Sequence, residues 1–168
     1  MSSFFGFDEN DTGGTDLSAA DDKTLRLAVH AFTEEELAGL KRFQETYLAH
    51  AETTQGAEAL AKAHQEAMNA TGGMKPRRVE QGMALLRLFG GKRYTVHRLR
   101  AKLQELEAAG PQKDAVREKI HEELERLERE TDTLARRFGQ ETLDLLRRHE
   151  RELLALHNRL TQMALNRT

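Results

Sequence analysis

Seven histidines and 28 acidic side chains in a chain of 168 residues invite a search for metal ligands. Glu118 and His121 form one Glu-x-x-His, the spacing with which a helix offers two ligands to a di-metal centre. Such a centre takes two of these motifs plus two further carboxylates from facing helices, and the sequence has one. His30 with Glu34 straddles a helix start, and His149 and His157 stand eight residues apart with no matching pair elsewhere. A metal-binding helical bundle therefore stands as a second alternative with no metal residue to assign, and solvated or core-lining histidines are the plainer expectation. The chain has no cysteine, which removes thiolate metal sites, disulfides and cysteine nucleophiles together. Gly90-Gly91-Lys92 lacks the earlier glycine and the following Ser or Thr of a phosphate-binding loop. Acids and hydroxyls otherwise fall three or four residues from Lys or Arg, the spacing of salt-bridge decoration on helices. No catalytic residue and no cofactor are assigned, and a non-enzymatic protein is expected.

Charge carries the stronger functional signal. The net formal charge is only -2, but residues 1–74 hold 5 Lys/Arg against 13 Asp/Glu, whereas residues 75–102 hold nine Lys/Arg against the single acid Glu80. Within that basic segment Arg87, Lys92, Arg93, Arg98, Arg100 and Lys102 surround Tyr94. These seven side chains are the candidate partner-binding residues. Three arrangements fit them: a docking face for a protein with an acidic surface, a phosphate-binding surface on nucleic acid with Tyr94 stacked on a base, or internal pairing with the acidic run Glu122, Glu123, Glu125, Glu128, Glu130 and Asp132. A pI of 6.4 is not that of a typical nucleic-acid binder, so nucleic-acid binding by segment 75–102 is the alternative and protein docking the main expectation. Phe4, Phe5 and Phe7 join the candidate set, as a short anchor for a groove on another protein or as a terminus folded back on its own helices.

The elements that would position these residues are helices. Ala, Glu, Lys, Leu and Arg make up 91 residues, with 24 Leu against four Val and one Ile, the composition of long helices and coiled coils. Leu106 with Val116, Leu103 with Ile120, Leu99 with Leu124 and Val96 with Leu127 sum to nearly the same residue number about Gly110-Pro111. Two antiparallel helices joined by a short turn over residues 107–112 require that symmetry. Helices are expected over 33–52, 56–70, 76–108 and 113–166. The first opens on a capping box, Thr33 with Glu36, flanked by Phe32 and Leu37 at the staple positions; its apolar stripe is Leu37, Leu40, Phe43, Tyr47, Leu48 and Ala51. The second has Leu60, Ala61, His64, Ala67 and Met68. The third begins at Pro76, runs through Val79, Met83, Leu86 and Phe89, and is expected to bend or break at Gly90-Gly91. The last would reach roughly 80 Å at 1.5 Å per residue, and its apolar second half needs more than one neighbour.

The whole therefore reads as all-α: a four-helix head with a long antiparallel helical-hairpin, or coiled-coil, stalk. Residues 1–22, with Gly13-Gly14 and six acids, read as a flexible acidic arm ahead of a single helical domain over 23–168. Residues 24–32 alternate with period two; a strand there would have to pair with a second copy or a different protein, and an extended or one-turn segment lying along the bundle is the main expectation. No apolar run is long enough for a membrane span, and a cytoplasmic location is the default. The expected function is that of a coiled-coil adaptor or structural protein that docks a protein partner and self-associates as a homo-oligomer.

Overall fold

The computed structural model describes residues 31–53 and 56–166. The acidic arm over 1–22, its Phe4, Phe5 and Phe7, and residues 24–30 of the alternating segment lie outside the described residues. Within them the chain is all-α, with 87% helix and no strand.

Helix α1 covers Glu34–Ala51, opened by the capping box: the Glu36 amide donates to Thr33 Oγ1 at 3.1 Å and the Thr33 amide donates to Glu36 Oε1 at 3.2 Å. Phe32 and Leu37 at the staple positions are both buried in one apolar cluster. Helix α2, Ala57–Asn69, folds back along α1. Arg42 Nε reaches the Ala70 carbonyl at 2.9 Å, and Phe43 meets the His64 ring edge-on at 5.6 Å between centroids. The buried residues of α2 are Ala63 and Ala67. Ala61 and His64, expected in the stripe, are exposed, because alanines of small volume let the two helices approach on a face rotated from the one Leu60 and Met68 suggest.

Helix α3, Pro76–Leu106, runs unbroken through Gly90-Gly91, where a bend or break was expected. Gly90 has a packing reason instead: a Cβ there would stand 2.7 Å from His157 Nδ1. The absence of a side chain lets the last helix lie close, and that contact offsets the roughly 1 kcal/mol that glycine costs a helix interior. After a one-turn 3₁₀ segment at Pro111–Lys113, α4 spans Asp114–Phe138.

The single helix expected over 113–166 is three: α4, then α5 at Gln140–Arg148, then α6 at Glu150–Asn166. Gly139 breaks it first, at φ +89 and ψ 150, a conformation glycine adopts without the Cβ penalty of other residues. The chain doubles back there, so that Arg147 Nη2 on α5 reaches Asp132 Oδ1 on α4 at 3.0 Å. The second break, at His149, is milder; the His149 carbonyl still accepts from the Leu153 amide at 3.0 Å. The broad apolar surface of the last segment is thus folded into the core rather than drawn out along a rod.

Two apolar clusters result. The larger takes Phe32, Leu37, Leu40 and Phe43 from the start of the chain, Val79 to Phe89 from α3, Leu134 and Phe138 from the end of α4, and Leu143, Leu145, Leu146 and Leu153 from α5 and α6. The smaller consists of Val96, Leu99, Leu106, Ile120 and Leu127, with Leu103, Val116 and Leu124 packed on it. Every residue of the four apolar pairs about Gly110-Pro111 falls in this second cluster.

Candidate functional site

Phe89 belongs to the first cluster and Val96 to the second, and between them on the same side of α3 stands Arg93. A helix turns 100° per residue, so positions 89, 93 and 96 share one face. Arg93 is only 6% exposed. Its Nη1 donates to Glu128 Oε1 on α4 at 2.8 Å, and its Nε donates to Glu150 Oε1 at the start of α6 at 2.6 Å. A guanidinium stays charged even when buried, so it needs such partners to offset the cost of its desolvation. Burial opposes ionisation of Glu150, but the hydrogen bonds from Arg93 and His97 outweigh it and hold its carboxyl below the usual range. Around this pair His97 Nε2 lies 2.9 Å from Glu150 Oε2 and Arg100 Nη2 donates to Glu128 Oε1 at 3.0 Å. Lys92 Nζ donates to Glu130 Oε2 at 2.8 Å. One seam of charge therefore joins α3, α4 and α6 where the two apolar clusters meet.

A second ionic group fixes the other side of the α5–α6 break. His149 Nε2 lies 2.6 Å from Glu34 Oε1, Arg148 Nη2 donates to Glu34 Oε2 at 3.1 Å, and Lys41 Nζ donates to Glu152 Oε2 at 2.5 Å. These tie α1 to the junction that Glu150 ties to α3.

The seven candidate residues of the basic segment are thus divided by the helix itself. Lys92, Arg93 and Arg100 face α4 and α6 and are engaged by acids there. Arg87, Arg98 and Lys102 fall on the other side of α3, and Tyr94 stands at the edge between the two sides, its ring 6.2 Å from that of His157 on α6 between centroids. Arg87, Arg98 and Lys102 are exposed, and Tyr94 is half-buried. The Arg98 guanidinium stands 5.9 Å from the centre of the Tyr94 ring, and Lys102 Nζ is 3.5 Å from Glu105 Oε2 one turn on. Among the described residues Arg98 makes no ion pair. Gly91 lies in the same stripe, and a Cβ placed there would meet nothing within 4 Å. Gly90 is explained by His157; no packing contact explains Gly91.

Glu118 and His121 are both exposed on α4. Among the described residues no three His, Asp or Glu side chains converge as a metal site. The acids of the seam were partly legible, because Glu128 and Glu130 lie opposite Arg93 and Lys92 by the same residue sum as the apolar pairs. Glu150 was not: it comes to Arg93 only because the chain reverses at Gly139, and a lone glycine was the sole mark of that reversal in the sequence. No family model matches the chain, and neither do the curated proteins or the solved structures compared with it. No helix among the described residues is long and apolar enough to cross a membrane.

Proposed function

We propose that the chain is a non-enzymatic, cytoplasmic coiled-coil adaptor whose outward face of α3 docks a protein partner with an acidic surface, and that it self-associates. The finer architecture belongs to the same proposal: the cluster around Phe89 is the core of a helical head, and the cluster from Val96 to Leu127 is the seam of a two-helix stalk. The observation that carries the docking reading is the division of the cations on α3. Those facing inward pair with carboxylates of other helices, while Arg87, Arg98 and Lys102 are exposed on the opposite side of α3, Arg98 with no ion pair among the described residues. Exposed cations on a rigid helix steer an acidic partner and fix its register.

The mechanism is presentation. The Arg93 seam holds α3 against α4 and α6, so the outward side chains keep a fixed spacing of about 16 Å between positions 87 and 98 at 1.5 Å per residue. The test is capture from a lysate of the native cell, with and without nuclease, using the full chain and the Arg98→Glu, Lys102→Glu double variant. A nuclease-resistant protein held by the first and lost by the second supports the reading. Retention by the double variant removes the outward face from it, and material lost on nuclease treatment assigns the face to nucleic acid instead.

A further inference from the structure

The apolar seam from Val96 to Leu127 sets residues of α3 and α4 at matched heights. Arg98 precedes Leu99 by one residue and Glu125 follows Leu124 by one, so the two stand level on the antiparallel pair. Lys102 precedes Leu103 as His121 follows Ile120, with Glu122 one residue on. At 100° per residue Glu118, Glu122 and Glu125 share one face of α4, and all three are exposed. Among the described residues these acids, like Arg98, make no ion pair. They do not meet Arg98 and Lys102 within the chain, because α3 and α4 touch along the seam and their outward sides face away from each other. Helices α5 and α6 stop short of both stripes. Glu150 opens α6 beside Arg93 and His97, and the helix runs from there toward Gly90, away from Arg98. Arg147 of α5 reaches α4 at Glu128 and Asp132, short of Glu125.

We infer that the acidic surface docked by Arg98 and Lys102 is the stripe Glu118, Glu122 and Glu125 of a second copy of this chain, with α3 of one copy antiparallel to α4 of the next. The inference rests on the docking reading of the preceding section and names its partner. Two copies displaced across the hairpin, with no shift along it, bring Arg98 to Glu125 and Lys102 to Glu122 of the neighbour. The cations are spaced about 6 Å along their axis and these acids about 4.5 Å. Glu105, 3.5 Å from Lys102, comes level with Glu118 and opposes the contact there, so the pairing is centred on Arg98. The two stripes lie on opposite edges of the hairpin. The contact is therefore heterologous: a pair of copies leaves one stripe of each kind free, and chains add in series as a ring or an open row. Exposed ion pairs are weak and screened by salt, so the series is reversible and grows with concentration.

Sedimentation of the full chain tests this with two charge-reversed variants, Arg98→Glu with Lys102→Glu and Glu122→Lys with Glu125→Lys, all at exposed positions. The weight-average mass of the unaltered chain should rise with concentration at low salt and fall toward that of one chain at high salt. Each variant alone should associate about tenfold more weakly, with helicity by circular dichroism unchanged. Mixed in equal amounts the two should recover association, since the acidic α3 of the first then faces the basic α4 of the second, and the converse contact keeps its native signs. A mass that stays at one chain overturns the inference. So does a mass that levels at two chains, the mark of a closed pair, and so does association kept by either variant alone or not recovered by the mixture. A glutamate-rich peptide added to the unaltered chain separates the two proposals. Amide shifts at Arg98 and Lys102 with the mass of one chain keep the docking reading and end this one. Association governed by both reversals, with no shift by the peptide, keeps the second copy as occupant and ends the reading of a foreign acidic partner.

Discussion

The two halves of α3 solve the same problem differently. From Val79 to Phe89 the helix is buried on several sides at once, with Gln81, Ala84, Leu85 and Leu86 all inaccessible, because α1, the end of α4, α5 and α6 converge around it. From Val96 to Leu106 only the stripe Val96, Leu99 and Leu106 is buried, and a single neighbour, α4, covers it. The first half is held by volume. The second is held by a narrow seam and by ions, and the remainder of its surface stays available. Comparing them teaches that the available surface on the second half depends on Arg93 at the boundary, which fastens the sparsely packed half to the dense one.

The largest break in this comparison should come from Phe89→Ala. Phe89 is fully buried in the dense half, and removing a buried aromatic costs about 4 kcal/mol; chemical denaturation should register it as a lower midpoint with an unchanged slope. Leu103→Ala, in the other half at a partly buried position, should cost about 1–2 kcal/mol, and a result equal to that for Phe89 would deny that the halves differ. Arg93→Ala comes next to Phe89. It strips Glu150 and Glu128 of their buried partner and should cost about 3 kcal/mol, with Arg93→Met milder because no guanidinium-sized void is left. Gly139→Ala forces a Cβ into φ +89 and should cost about 1–2 kcal/mol. Since nothing lies within 4 Å of that Cβ, the loss is conformational and not a clash.

Acid should act in two stages, and both signs follow from the side chains' surroundings. Burial disfavours the charged form of His157 and moves its titration below the ordinary 6.5. The unfolded chain therefore takes up that proton first, and stability begins to fall as pH drops below about 6.5. The carboxyls of Glu36, held by Arg78, and of Glu130 and Glu150, where Lys92 and Arg93 outweigh the opposing effect of burial, lie below the ordinary 4.5. Their contribution is complete above about 4.5 and is lost as pH falls through the folded-state values. Melting temperature against pH should show both steps, and His157→Gln should remove the first alone. The smallest effect on stability belongs to Arg98→Glu, within about 0.5 kcal/mol for an exposed position.

Helical class, the capping box at Thr33 and the apolar pairs about Gly110-Pro111 were legible because each is a local or symmetric pattern that one or two elements impose. The reversal at Gly139 was not. The helical period of Leu127, Leu134, Phe138 and Leu145 continues across it, and a period cannot report that the axis has turned. Everything that depends on the turn was therefore hidden: Glu150 beside Arg93, His149 beside Glu34, and the separation of the α3 cations into an inward and an outward set. Gln44 was missed for a different reason, since its polar side chain concealed a buried position between Leu40 and Leu48 on α1.

The separation of the two sets of cations is the centre of the account, and residue-resolved titration of the intact protein with a glutamate-rich peptide tests it most directly. The account predicts amide shifts at Arg87, Gly91, Tyr94, Arg98 and Lys102, with Lys92, Arg93 and Arg100 unmoved. Shifts centred on Lys92, Arg93 and Arg100 would mean that the inward ion pairs open to bind, and would contradict it.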